Sequence, residues 1–357
     1  MSIRQTQLRV EVPAGVGRPR AERLVAAEEL RGWLPVDALA EEGRPVLRWL
    51  DMNGVALSEP FFRQTVERVE RERPGAELYT DFDALIQLEK LADALRPDGF
   101  IFHSSRCGST LVSNACRALD GSVVVAEAAP VDKLVWRYLS PEGGTESLLR
   151  RVFLRAVVNL LGRRRPGDAR RYFIKFSCCS VLRLSFVRSI WQDVPWVFIH
   201  RDPVEVMVSN LKTVPEWMQF ESEPEMAAAV SGLEGAEATR LSREEYCARA
   251  LGRFYAEASA AADERVMLVG YEELSASKLT EVVRFFGATP TDAEARRISR
   301  AAALYAKDPV PARPFVPDGE AKRASASPLV REMAERFAAE PYRLLLSKKR
   351  VEADTRQ

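Results

Sequence analysis

Short, uniformly apolar segments alternate with longer helical patterns from Pro97 onward. The segments span residues 99–103, 122–126, 172–176, 195–200 and 266–269. Uniform apolar character is typical of parallel strands that are buried on both faces. Alternation of strand and helix predicts an α/β domain of three layers around a central parallel sheet. Because ligands of such sheets bind beyond the carboxyl ends of the strands, the residues that follow each segment are candidates for function.

The first part of the chain has a different rhythm. Residues 8–12 alternate like a strand, and residues 46–52 predict a second strand that Asn53-Gly54 ends. Residues 60–73 and 81–95 have helical spacing of their apolar positions. We therefore predict two domains: residues 1–96, a small N-terminal α+β unit of unknown role, and residues 97–350, the larger α/β domain.

Composition and charge exclude several classes of protein. Hydrophobic residues make up 46% of the 357, which is enough for a packed core. The formal net charge of +1 argues against a nucleic-acid coat or a polybasic membrane anchor. The chain has five cysteines and no CxxC pair, so we expect no zinc site and no bound metal. We also expect the cysteines to be reduced and the protein to be cytoplasmic. No signal peptide and no membrane span are expected.

The loop after the segment at 99–103 has the composition of an anion site. It reads His-Ser-Ser-Arg-Cys-Gly-Ser-Thr from residue 103 and leads into a helix. Gly108 allows a tight turn, Arg106 adds a positive charge, and the free amides of the helix start face the loop. The Walker A lysine and first glycine are missing. An ordinary strand-to-helix turn with a hydroxyl cap is the alternative.

A second candidate anion site follows the segment at 195–200. Arg201-Asp202-Pro203 combines a cation with a residue that caps helices and a proline suited to the first helical turn. Ser209 lies two turns further along the predicted helix, so the guanidinium and the hydroxyl can bind one anion. The alternative is a capped helix with Arg201 in a surface ion pair.

Together these segments resemble the superfamily of sulfotransferases that use 3′-phosphoadenosine 5′-phosphosulfate (PAPS), in its bacterial branch. Residues 104–111 resemble the 5′-phosphosulfate loop, and residues 200–209 resemble the 3′-phosphate motif, including the spacing from Arg201 to Ser209. Residues 269–274, followed by Phe285-Phe286-Gly287, are similar to the tyrosine-acid-acid-leucine segment of the family. The resemblance covers residues 97–327 and implies a P-loop-like fold.

The resemblance also implies which residues bind PAPS. Residues of the first loop would contact the 5′ side: Arg106, Cys107, Gly108, Ser109, Thr110 and Leu111. Arg201 and Ser209 would hold the 3′ phosphate, and Tyr271 would approach the adenine. Lys322 and Arg323 are candidates for the late basic segment of the family, with a solvated charge pair as the alternative. Leu111 stands where many cytosolic relatives have a tryptophan that stacks on adenine.

Sulfonyl transfer needs a base that takes the proton of the acceptor. Glu127 follows the segment at 122–126, where several sulfotransferase branches place a glutamate base. Lys175 is similar to the lysine of the Lys-Thr-His motif of the family, but no histidine follows it here. His103 and His200 remain alternatives as the base. Lys175 and Arg106 would stabilise the negative charge that develops during transfer.

The sequence thus predicts a sulfotransferase that moves a sulfonate group from PAPS to an acceptor hydroxyl or amine. The acceptor is small or carrier-linked and its identity stays open. A kinase of related fold, which would need Mg²⁺, and an inactive PAPS-binding protein are the alternatives. The basic run of Arg163, Arg164 and Arg165 either attracts an anionic acceptor or forms a solvated loop.

Overall fold

The protein is described from a computed structural model that covers residues 7–13, 20–41, 44–90, 93–136, 145–164, 169–219, 223–303 and 318–355. It contains two compact units. The first combines residues 1–98 with 119–176, and the second combines residues 99–118 with 177–357. The predicted N-terminal unit therefore lies within the first compact unit, which also includes a later stretch of chain.

An antiparallel sheet forms much of the first unit. Its strands are β1 (Gln7–Val12), β2 (Ala21–Ala26), β3 (Trp33–Glu41), β4 (Arg44–Asp51) and β5 (Glu77–Thr80), in the order β2-β1-β5-β4-β3. Trp49 of β4 is buried, and its indole Nε1 donates to Thr80 Oγ1 on β5 at 2.9 Å. The sequence predicts β1 and β4 correctly. It misses β3, where a bulge between Pro35 and Asp37 interrupts the alternation.

Two helices belong to the same part of the first unit, α1 (Phe62–Glu72) and α2 (Phe82–Lys90). The first matches its prediction closely. The prediction that the second continues to residue 95 is wrong, because Ala94 forms a β-bridge with Arg163 and Leu95 donates its amide to Gly162 O. Main-chain pairing of residues 94 and 95 with residues 163 and 162 therefore outweighs the helical spacing of the leucines in this segment.

The first unit also contains two parallel strands with their helices. These are β7 (Ser122–Ala126), α4 (Ala129–Trp136), α5 (Thr145–Leu161) and β8 (Arg171–Lys175). The register pairs Ala126 with Lys175. Residues that directly follow β7 therefore lie beside the end of β8.

The second unit is built on three parallel strands in the order β10-β9-β6: β6 (Gly99–His103), β9 (Trp196–His200) and β10 (Val266–Gly270). Every residue of these strands is buried, as their apolar composition predicts. The helices of the unit are α3 (Ser109–Arg117), α6 (Leu184–Ile190), α7 (Pro203–Lys212), α8 (Pro224–Ser231), α9 (Gly235–Ala238), α10 (Arg243–Ala260), α11 (Ala276–Phe285), α12 (Asp292–Ala303), α13 (Gly319–Ser325), α14 (Pro328–Phe337) and α15 (Ala339–Thr355). Parallel strands alternating with helices confirm the predicted α/β class.

None of the five cysteines forms a disulfide, and all five are buried. Within the described ranges, no helix has the length and apolar character needed to cross a membrane. The same ranges contain no cluster of three or more side chains suited to holding a metal ion.

Candidate functional site

The loop between β6 and α3 has a strained backbone. Ser105 and Arg106 have φ angles of 67° and 47°, in the left-handed region that residues other than glycine rarely adopt. Gly108 follows with a φ of 83° and is the N-cap of α3. Such conformations cost free energy and persist where the surroundings fix them, often at ligand sites.

Contacts to α7 fix this loop. Ser105 Oγ and Asn210 Oδ1 are 3.1 Å apart, and Arg106 Nη2 donates to the carbonyl oxygen of Thr213 at 2.9 Å. The amide of Ser105 donates to His103 Nδ1 at 3.1 Å. The loop is therefore held in shape by a histidine before it and by the end of the helix that carries the second motif.

Gly108 lies against the tyrosine-acid-acid-leucine segment. A Cβ at this position would lie 2.4 Å from Leu274 Cδ1 and 3.2 Å from Tyr271 Cδ2. Glycine is therefore required here by both the φ angle and the close approach. No side chain caps α3. The alternative interpretation, an ordinary turn with a hydroxyl cap, expects a hydroxyl on the first-turn amides, and α3 has none.

Arg201 is the centre of the second motif and is only 2% exposed. Its Nε donates to Glu205 Oε2 at 2.7 Å, and its Nη2 donates to Asp318 Oδ1 at 2.5 Å. The guanidinium lies 3.7 Å from the centre of the Tyr271 ring. Burial opposes the charge, but the bonds to Asp318 and Glu205 outweigh it and raise the pKa of Arg201. The residue is a buried, permanent cation and not part of a surface ion pair.

Helix α13 adds two more cations to this cluster. Lys322 Nζ pairs with Asp318 Oδ2 at 2.7 Å, and Arg323 donates to Glu205 Oε1. Burial lowers the pKa of Lys322, whereas the bonds from Arg201 and Lys322 overcome burial and lower the pKa of Asp318. The structure thus brings Arg201, Tyr271, Lys322 and Arg323 together from distant parts of the sequence.

Helix α7 positions Ser209 relative to Arg201. Asp202 caps the helix by accepting from the amides of Val204 and Glu205, as the Asp-Pro sequence predicts. Burial raises the pKa of Asp202. The Oγ atom of Ser209 is buried and has no hydrogen-bond partner among the described residues. Buried hydroxyls usually have a partner, so this atom has an unused bonding capacity.

In the first unit, Glu127 and Lys175 form a pair. Lys175 is 2% exposed, and its Nζ donates to Glu127 Oε1. The amide of Glu127 donates to the carbonyl oxygen of Lys175 at 2.7 Å, and the Phe61 ring lies 4.9 Å from Nζ. Glu127 has a φ of 52°, so its backbone is strained as well. Lysine side chains are almost never fully buried unless they are paired, and Glu127 is the partner here.

The two histidines are both buried. His200 is 0% exposed, and its Nδ1 lies 3.3 Å from the hydroxyl oxygen of Tyr342. Burial, with a smaller effect of Lys349, lowers the pKa of His200 to about 3. His200 is therefore neutral at physiological pH and packs against the Tyr342 ring, whereas His103 accepts from the loop amide of Ser105.

Sequence reasoning missed Glu205, Asp318, Asn210 and Phe61. Glu205, in the first turn of α7, follows Arg201 by four residues, and this i,i+4 spacing was available as a signal for an ion pair. Asp318 contacts Arg201 across 117 positions, and no local pattern predicts such a contact. The same holds for Phe61, which approaches Lys175 from the start of α1.

Of the predicted residues, the second unit contains those assigned to PAPS. Cys107, Ser109, Thr110 and Leu111 are buried around the start of α3. Glu127 and Lys175 belong to the first unit. Arg165 lies outside the described residues.

No protein-family model matches the chain, and no curated protein matches it. Solved structures do. A sulfotransferase from Alicyclobacillus acidocaldarius matches at 16% identity over 72% of this chain and 96% of its own, with a TM-score of 0.40. One from Mycobacterium avium matches at 12% identity over 67% and 75%, with a TM-score of 0.40.

A mouse sulfotransferase complexed with PAP matches at 13% identity over 74% of this chain and 88% of its own, with a TM-score of 0.32. All three are sulfotransferases.

Proposed function

We propose that the protein is a PAPS-dependent sulfotransferase that transfers a sulfonate group to an acceptor hydroxyl or amine. The observation that carries this proposal is the cluster around Arg201, where a buried guanidinium stacked on Tyr271 is joined by Lys322 and Arg323. An aromatic ring beside several cations suits a nucleotide that has both a base and a phosphate.

The residues near the 3′ and 5′ ends of the proposed PAPS site also fit the cofactor. The unsatisfied Ser209 Oγ lies on α7, the helix that begins directly after Arg201-Asp202, and would donate to the 3′ phosphate. On the 5′ side, Arg106 and the first-turn amides of α3 would hold the phosphosulfate, and Gly108 keeps this surface free of a side chain. Leu111 and Tyr271 would pack near the adenine.

The chain supplies the groups that the transfer requires. PAPS, when bound, provides a sulfonate already activated by a phosphate leaving group. Glu127 would take the proton from the acceptor oxygen or nitrogen as that atom attacks. Two cations, Arg106 and Lys175, would stabilise the negative charge that develops on oxygen. Lys175 also donates to Glu127 Oε1 and so orients that carboxylate. The acceptor is a small or carrier-linked molecule.

Calorimetric titration with adenosine 3′,5′-bisphosphate tests the proposal. We expect binding in the presence of EDTA, because the proposed contacts involve no metal, and Arg201→Ala should weaken it. One charge-assisted bond contributes about 1.5–3 kcal/mol, so a loss of roughly 10- to 150-fold is expected. Arg343→Ala, which removes an exposed arginine on α15, is the matched control.

The outcomes separate the alternatives. If folded Arg201→Ala binds adenosine 3′,5′-bisphosphate with unchanged affinity, the assignment of Arg201 to the 3′ phosphate is wrong. Ser209→Ala repeats the test without changing the buried ion pairs. Binding that requires Mg²⁺ would favour a kinase. Transfer of labelled sulfonate from PAPS to a panel of hydroxyl and amine acceptors distinguishes an enzyme from an inactive binding protein.

A further inference from the structure

A cavity of about 300 Å³ in the first unit is lined by arginines from separate parts of the chain. Arg31 precedes β3, and Arg163 and Arg164 follow α5. Leu34 and Met52, both buried, contribute apolar wall. No acidic residue lines this cavity among those that the structure describes.

Arg163 is the unusual member of this group because it is only 7% exposed. Its Nη1 donates to the main-chain oxygens of Leu30 and Arg31. Its Nε is buried and finds no hydrogen-bond partner in the described part of the chain. Burial, and then the nearby Arg31 guanidinium, lower the pKa of Arg163, yet a guanidinium remains charged at neutral pH.

The cavity therefore concentrates positive charge without a carboxylate in its wall. Arg164 is partly compensated, since its Nε lies 3.4 Å from Asp93 Oδ1 and its Nη1 donates to Ala169 O. Arg31 and Arg163 are not paired with any acid by the contacts described. A buried cation without a counter-ion is costly, and an anion from solution would offset that cost.

We propose that this cavity binds a small organic anion. Its sulfate, phosphate or carboxylate head would lie on the guanidinium of Arg163, with Arg31 and Arg164 at the rim. Its short apolar body would pack against Leu34 and Met52. The size of the cavity is that of a small-molecule site. The proposal is independent of PAPS and of the second unit.

Sodium sulfate and sodium butyl sulfate serve as probes, titrated calorimetrically at constant ionic strength. The variant is Arg31→Ala combined with Arg164→Ala, because both side chains are at the rim and Arg163 itself holds main-chain carbonyls. We expect this pair of changes to weaken both probes by about 10-fold or more. The urea midpoint should stay unchanged.

Arg170→Ala is the matched control, since it removes a charge six residues after Arg164 and outside the cavity wall. It should leave both affinities within about 2-fold. Butyl sulfate should bind more tightly than sulfate, by up to about fourfold for each methylene that is buried.

Three results would overturn the proposal. They are wild-type affinity in the double variant, an equal loss in Arg170→Ala, and equal affinity for the two probes. The first would place the anion elsewhere, the second would show general charge attraction, and the third would remove the apolar subsite.

Discussion

Backbone strain in the described residues is confined, apart from glycines, to three positions: Ser105, Arg106 and Glu127. All three belong to segments that the sequence motifs single out. Left-handed conformations of such residues cost about 1–3 kcal/mol each, and the contacts to Asn210, Thr213 and Lys175 hold them in place. The strained residues therefore lie at the proposed base, Glu127, and in the loop that the proposal assigns to the phosphosulfate.

Gly108→Ala should destabilise the protein, because the new Cβ would meet Leu274 Cδ1 at 2.4 Å in a left-handed backbone. Gly287→Ala is the matched control: its φ of 79° is similar, but no atom lies within 4 Å of the added Cβ. Urea unfolding should show a loss of about 1 kcal/mol for the control and more for Gly108→Ala. Equal losses would show that Leu274 moves aside freely.

Glu127→Gln should lower turnover by roughly 10²–10⁴-fold, since the amide cannot accept a proton. Affinity for adenosine 3′,5′-bisphosphate should stay within a few-fold. Loss of the carboxylate also leaves Lys175 buried without its partner, so a melting temperature is measured beside the turnover. Normal turnover in Glu127→Gln would defeat this assignment, and a severe loss in His103→Asn or His200→Asn would move the role to a histidine.

Among the elements, α7 and α13 determine the candidate phosphate site. The start of α7 could be predicted, because Asp202-Pro203 is a strong helix start signal and the apolar strand before it is unmistakable. The docking of α13 could not, because it depends on Asp318 and Arg323 meeting Arg201 and Glu205, which are more than a hundred residues earlier. The motifs indicate Lys322 and Arg323 as cations but not the carboxylates between them.

Asp318→Asn should tighten the binding of adenosine 3′,5′-bisphosphate by about 2- to 10-fold. The Asp318 carboxylate, 46% exposed in its side chain, bonds to Arg201 and Lys322, the same cations that the 3′ phosphate would use. Glu320→Gln removes a charge from the same helix at an exposed position and should change the affinity little. Weaker binding in Asp318→Asn would instead make Asp318 a residue that positions Arg201.

For the molecule as a whole, buried parallel strands were predictable and the antiparallel sheet was only partly so. β6, β9 and β10 are buried on both faces, so their apolar composition alone indicates them. β2 has four exposed residues, and its polar composition gives no such signal. The division into compact units depends on long-range packing, which no local pattern contains.

The pH dependence of stability should contain a contribution from His200. Its pKa is about 3 in the folded protein and about 6.5 when unfolded, so the unfolded state binds more protons between these values. The stabilisation is complete above pH 6.5 and falls below it, by up to about 1.4 kcal/mol per pH unit.

Urea unfolding from pH 5 to pH 8 measures this effect. His200→Phe keeps a ring beside Tyr342 but cannot bind a proton, so its stability should fall less steeply below pH 6.5. The difference between the two profiles isolates the histidine from the carboxylates of the chain. Parallel profiles would contradict the neutral, buried state of His200.

Because every cysteine is buried, the rate at which its thiol reacts with a reagent measures how fast the protein opens around it. Reagents such as maleimides attack exposed thiolates, and burial raises the pKa of Cys247 to about 12. The native protein should therefore take up label only as fast as it unfolds locally or globally. Mass spectrometry of partly labelled samples would show whether Cys107, in the anion loop, or Cys247, in α10, is labelled first. The order reveals which part of the second unit opens first.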